Sequence, residues 1–592
     1  MLLTSTPGRE SRLPVAHAFG SIETAIKDTG ILGSHWEARK IEGSMASTTH
    51  SRSKCASTSS ALRRSTVVQT THGPVQGFLE DGMQKFLGIP YAAPPVGGLR
   101  WHPPVPPASW QEPLEAVSFG PICAQTSTCF PGFGSTSCNE DCLYLNAFTP
   151  EIQESEDSRE QRRPVMVFIH GGGFACGSSN DYNPVSLVND GQVVFVSLNY
   201  RVGVFGFFSH PAINAEDHPA GNYGIMDQQL ALEWIRENIE QFGGDGDKIT
   251  VFGESAGGAS ILAHVAAPSS RGLFHKVIIE SGGAPPTMPY PTIEKLESLG
   301  ISLAHAAGCT EQTPEKLRLI SAKDLLEANE VEDGQFGIGK FPFGLMEDGV
   351  IVVKDLRDRF LRGEFNRIPM IIGVNKDEFT WFQAMMEWRS GKVVSAEAYP
   401  ETVSATIELL NKLHLNGVIV PQSAIPQVLK MYPIEAHGSA SRALAAVVGD
   451  AGLISTAGRR ATRVLAKHCP EVFAYEFDVP DTPCPWPEVS FPYGSAHTLE
   501  LPYIFPGFCG ASGKATPLSR SQQVLARQMV QYWTTFARYS TPNDPELSQD
   551  MPQWKTYHAQ DDNIMLLQAS EPSKMVDGWG ERHNSDFWDA FY

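Results

Sequence analysis

No apolar run in this 592-residue sequence is long enough to cross a bilayer. Neither C-x-x-C nor H-E-x-x-H spacing occurs, and the histidines and cysteines are scattered, so the common metal and redox motifs are excluded. No Asn-x-Ser/Thr sequon is present, and no internal repeat is visible. Basic charge is short: 46 Lys and Arg face 66 Asp and Glu, a formal net charge of −20. A surface of that sign repels nucleic acid and favours solubility, so no nucleic-acid partner is expected. From Met1 to Gly20 no basic start leads into a sustained apolar core, so no secretory signal is visible. Acidic residues are missing from Met45 to Leu79, and Ser, Thr and Arg are frequent up to Arg64. Such composition fits a transit peptide or a disordered tail. Residues 1–65 are therefore expected to be a poorly ordered extension, and 66–592 one large folded unit.

What is present is chemically specific. Ile249-Thr250-Val251-Phe252 reads as a strand and runs into Gly253-Glu254-Ser255-Ala256-Gly257, followed by small residues suited to a helix. Strand, G-x-S-x-G and helix together describe a tight turn that exposes a serine hydroxyl. The flanking glycines let neighbouring backbone approach that turn. A second apolar strand, Val165 to Ile169, runs into His170-Gly171-Gly172-Gly173-Phe174. Consecutive glycines allow successive N–H groups to converge on one point, which is what stabilising an oxyanion requires. Further strand-like runs are Val193–Leu198, Val277–Ile279, Ile368–Val374 and Val472–Phe477. They alternate with helical stretches, one of them expected over Asp227–Gln241, as in an α/β chain with a mostly parallel sheet.

Around these motifs stand Phe86-Leu87-Gly88-Ile89-Pro90-Tyr91-Ala92, Glu140-Asp141-Cys142-Leu143-Tyr144-Leu145-Asn146, Leu198-Asn199-Tyr200-Arg201-Val202-Gly203, Asn222-Tyr223-Gly224 leading to Asp227-Gln228, and Phe242-Gly243-Gly244-Asp245. With them the chain resembles the type-B carboxylesterase/lipase family, the cholinesterase-like α/β-hydrolases, from about Val67 to about Leu567. The resemblance implies an α/β-hydrolase fold with helices on both faces of the sheet and long insertions. It also implies a serine hydrolase that cleaves carboxylic esters of small molecules, without metal or organic cofactor.

The family order places an acid and then a histidine after the serine. Asn375-Lys376-Asp377-Glu378 follows an apolar strand; the family pattern selects Glu378, with Asp377 as the fallback. His497 precedes a Glu-Leu-Pro-Tyr segment, as the family's catalytic histidine does. The resemblance thus gives Ser255 as nucleophile, His497 as base and Glu378 as its orienting acid. Gly172, Gly173 and Ala256 are the expected oxyanion donors. Glu254 is expected to be buried and to support a protonated His497. His210 is read as structural.

In cholinesterases a tryptophan in the loop closed by the first disulfide holds the quaternary ammonium. The matching loop, Cys123 to Cys142, has no tryptophan and offers Phe130 and Phe133. Apolar or aromatic esters are therefore expected rather than choline esters, with secondary metabolism as one setting. The resemblance implies a Cys123–Cys142 disulfide; Cys129 and Cys138 inside it are a potential nested pair. Cys309 lacks a nearby partner for the family's second bridge, and Cys176 is expected to be a buried small hydrophobe. The disulfide suggests an oxidising compartment. The missing sequons and signal favour an intracellular location, with secretion as the alternative. Lactone or thioester cleavage and transesterification would use the same triad. Non-catalytic adhesion, as in neuroligins, is the second class of function, and the intact triad argues against it. Oligomeric state is open.

Overall fold

The structure, a computed structural model, describes residues 63–126, 135–151, 162–283, 290–330, 343–413, 419–510, 515–544 and 551–592. The expected N-terminal extension falls almost wholly outside these residues. Its last two residues, Arg64 and Ser65, already belong to the first strand.

Among the described residues thirteen strands form one sheet. The first flank holds β1 (Arg64–Gln69), β2 (Pro74–Glu80), β3 (Met83–Pro90), the short β4 (Leu114–Glu115) beside β2, and β5 (Tyr144–Pro150). Apart from the parallel β2–β4 pair, its pairings are antiparallel. The body contains β6 (Arg163–Ile169), β7 (Val194–Leu198), β8 (Gly244–Glu254), β9 (Lys276–Glu280), β10 (Met370–Asn375), β11 (Val472–Phe477) and β12 (Ile564–Leu567). It runs β7-β6-β8-β9-β10-β11-β12, all parallel, as the alternation of strands and helices suggested. An antiparallel edge strand, β13 (Lys574–Val576), closes the sheet.

Strands covered on both faces should be apolar throughout, because successive side chains point to opposite sides. In β6, Val165, Val167 and Ile169 enter one core, while Met166 and Phe168 enter the other. Register then aligns the strand ends. Ile169 lies beside Gly253, Gly253 beside Ile279, and Ile279 beside Ile372. The segments leaving β6, β8, β9 and β10 therefore emerge together at the carboxyl edge, where open α/β sheets bind ligands.

The helices that matter for the site are α1 (Tyr223–Asn238), α2 (Ala256–Ala266), α3 (Glu378–Ser390), α4 (Ser455–Ala466) and α5 (Arg520–Tyr539). The helix expected over Asp227–Gln241 starts and ends earlier, and a 3₁₀ turn, Ile239–Phe242, follows it. Asp227, where the expected span began, lies inside α1, is fully buried and holds Arg201 at 2.7 and 2.8 Å. The periodic signal could not show that its partner lies across the fold.

A buried cluster fastens the C-terminal segment to β11. His583 lies 2.7 Å from both Asp450 and Glu476. Trp579 and Arg582 also donate to Glu476. Burial opposes a proton on His583, but Asp450 and Glu476 outweigh it and push the imidazole up to about 10 from its usual 6.5. The folded pKa is above the unfolded one. This clamp's stabilisation is therefore complete below about pH 6.5 and is lost as pH rises through about 10. His583→Gln should cost about 3–5 kcal/mol at pH 6, by leaving buried Asp450 without its cation and Glu476 with Arg582 alone. The gap should narrow toward pH 10 in thermal unfolding followed by circular dichroism. A gap independent of pH would remove the imidazolium from the account.

Candidate active site

Ser255 sits between β8 and α2 with φ 56° and ψ −120°, a conformation that L residues adopt only when the surroundings impose it. The two glycines explain how the turn closes. A Cβ on Gly253 would meet the Ile169 carbonyl at 2.5 Å, and one on Gly257 would meet it at 2.0 Å. The Ser255 N–H donates to the Glu280 carbonyl at 2.9 Å, tying the turn to the end of β9.

The Ser255 hydroxyl lies 2.9 Å from His497 Nε2, and His497 Nδ1 lies 2.6 Å from Glu378 Oε2. These residues come from three distant parts of the chain. His497 is buried, and so is Glu378. Glu378 Oε1 accepts from the Asn375 N–H at 2.7 Å and from the Ser281 hydroxyl at 2.6 Å. That pattern fixes the carboxylate and leaves Oε2 for the imidazole N–H. Asp377, the fallback acid, turns elsewhere: it accepts from the Ser495 N–H at 3.0 Å and meets Arg442 at 3.4 Å. It thereby anchors the loop that carries His497.

Glu254 is buried, and its Oε1 comes within 3.2 Å of His497 Nε2 without a hydrogen bond. Burial lifts Glu254 well above the usual carboxylate range. Burial works against a proton on His497, yet Glu254, Glu378 and Glu500 outweigh it and push the ring up to about 9. The pair Glu254–His497 therefore competes for one proton. With that proton on Glu254, Nε2 is free to accept another.

The glycine loop lies directly over the elbow. A Cβ on Gly171 would come within 2.8 Å of the Glu254 carbonyl and 3.1 Å of Ser255 Cβ. Gly172 and Gly173 have φ of 104° and 61°, in the region that favours glycine. Cys176 is fully buried, as expected, and its thiol faces the Gly172 carbonyl at 3.7 Å. Tyr200 donates to the His170 carbonyl at 2.9 Å, so the Asn-Tyr-Arg segment braces this loop. Burial holds His170 down at about 4, so it stays neutral. His210 is structural as expected: its ring accepts from the Ala212 N–H and caps a short helix.

Sequence reasoning missed Ser281, Glu500, Trp381 and Phe382. Ser281 follows the last residue of a central strand, a position that could have flagged it. Phe382 and Trp381 lie 5.2 and 6.2 Å from the His497 ring and form an apolar wall beside it. The Cys123–Cys142 disulfide is present. Cys138 is free and exposed; its potential partner Cys129 lies outside the described residues, as do Phe130 and Phe133. Cys309 is also free.

Residues 64–588 match the model of the carboxylesterase family. The chain belongs to that family. It is a carboxylic ester hydrolase. It is 32% identical over 529 residues to para-nitrobenzyl esterase of Bacillus subtilis (strain 168), covering 85% of this chain and 95% of that protein. Human cocaine esterase is 30% identical over 552 residues, with 88% and 90% covered. Acetylcholinesterase of Bungarus fasciatus is 32% identical, with 86% and 84% covered. Among solved structures, a thermophilic PNB esterase superposes with a TM-score of 0.69 at 31% identity, covering 88% of this chain and 99% of that one. Among the described residues of this carboxylesterase, no helix is long and apolar enough to cross a membrane.

Proposed function

We propose that this carboxylesterase cleaves apolar or aromatic small-molecule esters through an acyl-enzyme on Ser255. The observation that carries the reading is the chain of contacts from Ser255 through His497 to Glu378. His497 Nε2 takes the serine proton as Oγ attacks the ester carbonyl. The N–H groups of Gly172, Gly173 and Ala256 receive the developing oxyanion, each worth about 3 kcal/mol in the transition state. His497 then passes its proton to the leaving alcohol. Water, activated by the same imidazole, releases the acid and restores Ser255. Trp381 and Phe382 beside the histidine favour an apolar or aromatic substrate group. The bacterial relative is named for para-nitrobenzyl esters, which belong to this class.

A series of p-nitrophenyl esters of increasing acyl length tests the substrate class. The rate should peak on an apolar acyl group, and a preference for acetylcholine over every member of the series would overturn it. Organophosphonate labelling tests the base. Wild type should be labelled at Ser255, and His497→Ala should lose rapid labelling. Labelling at the wild-type rate would place the base elsewhere.

A further inference from the structure

Glu280 ends β9 directly below the elbow, and the mechanism above does not use its side chain. It is fully buried. Its backbone carbonyl holds the Ser255 N–H, and the next residue, Ser281, donates to Glu378. Its carboxylate receives the indole N–H of Trp533 on α5 at 2.5 Å, while Oε2 has no hydrogen-bond partner. No ion pair reaches it among the described residues. Lys276 on the same strand instead donates to the Ala537 carbonyl at the end of α5. The charges that act on it are acidic: Glu500 repels its ionised form, and Glu280 in turn lifts Glu254 and the Tyr475 phenol on β11. Glu500 Oε1 and the Tyr475 hydroxyl are likewise buried without partners.

An ionised carboxylate at such a place would be a buried charge with no cation, next to others of the same sign. A neutral acid avoids that charge. We propose that Glu280 is a positioning residue that keeps its proton during turnover and braces the Ser255 turn and the Glu378 support without adding negative charge beneath His497. The triad reading underlies the activity half of this proposal. Burial first, and repulsion from Glu500 second, raise Glu280 to about 8 despite the Trp533 N–H. The folded form therefore binds this proton more tightly than the unfolded chain. Stability assigned to Glu280 falls as pH rises from about 4.5 to about 8.

Glu280→Gln imitates the neutral acid, and Glu280→Ala removes it. Against wild type, the melting temperature of Glu280→Gln should gain about 2–4 °C between pH 5 and pH 8. Glu280→Ala should lose between about tenfold and 100-fold in kcat with KM little changed. Glu280→Gln should restore most of that loss. A gap in melting temperature that stays flat or shrinks with pH would overturn the proposal, as would a glutamine variant as impaired as the alanine one. The stability comparison needs no activity and remains decisive if the alanine variant does not fold. It is also separate from the outcome of Ser255→Ala, which tests the triad alone.

Discussion

Ser255→Ala is expected to lower kcat for ester hydrolysis roughly 10⁴–10⁶-fold, with little change in KM. The hydroxyl is the only part removed. The turn should survive, because its geometry is imposed by Gly253 and Gly257 packing against the Ile169 carbonyl and by the Ser255 N–H on Glu280. Without Oγ no acyl-enzyme forms, and His497 has no proton to take. Under the proposed mechanism the glycine loop would still polarise a bound carbonyl, so a residue of activity over water should persist. Steady-state rates on a p-nitrophenyl ester, with mass spectrometry for the acyl adduct, decide the matter. Activity within tenfold of wild type, or an adduct on another side chain, would exclude Ser255 as the nucleophile.

Glu378→Gln should reduce kcat by about 10⁴-fold, the scale seen when a triad acid becomes its amide. The direction follows from the hydrogen bonds. The Asn375 N–H and the Ser281 hydroxyl both donate to Oε1, so the amide oxygen of glutamine will occupy that place. The amide NH₂ then faces His497 Nδ1, where Oε2 lay at 2.6 Å. Nδ1 must become an acceptor, the ring proton moves to Nε2, and Nε2 can no longer take the proton of Ser255. Asp377→Asn should have a small effect on kcat, because Asp377 meets Ser495 and Arg442 rather than the imidazole. A collapse in the Asp377 variant with Glu378→Gln intact would reverse the assignment. Measuring both variants on one substrate separates loss of the orienting acid from loosening of the His497 loop.

The proposed reacting residues could be picked out in the sequence because each is marked by its neighbours in the chain. Ser255 lies in a turn that needs its glycines, and Glu378 and His497 follow segments whose pattern resembles the family. Strands were legible for a similar reason: Val165–Ile169 of β6 and Met370–Val374 of β10 are apolar because both faces are covered, and that requirement shows as an uninterrupted run. The helix expected from Asp227 begins at Tyr223 instead, because Tyr223, Gly224 and Ile225 are all buried and show no amphipathic period.

The sequence by itself determined the family chemistry of this carboxylesterase, the parallel core of its sheet and the Cys123–Cys142 pair. Tertiary structure alone decided what surrounds the three side chains. It selected Ser281 to hold Glu378, set Trp381 and Phe382 beside His497, turned Asp377 to its anchoring task, and gathered Glu254, Glu280 and Glu500 beneath the site. The physical reason is distance along the chain. Ser255 and His497 are 242 residues apart and meet at 2.9 Å. Their meeting depends on strand register, and the field around them depends on which carboxylates that register buries together.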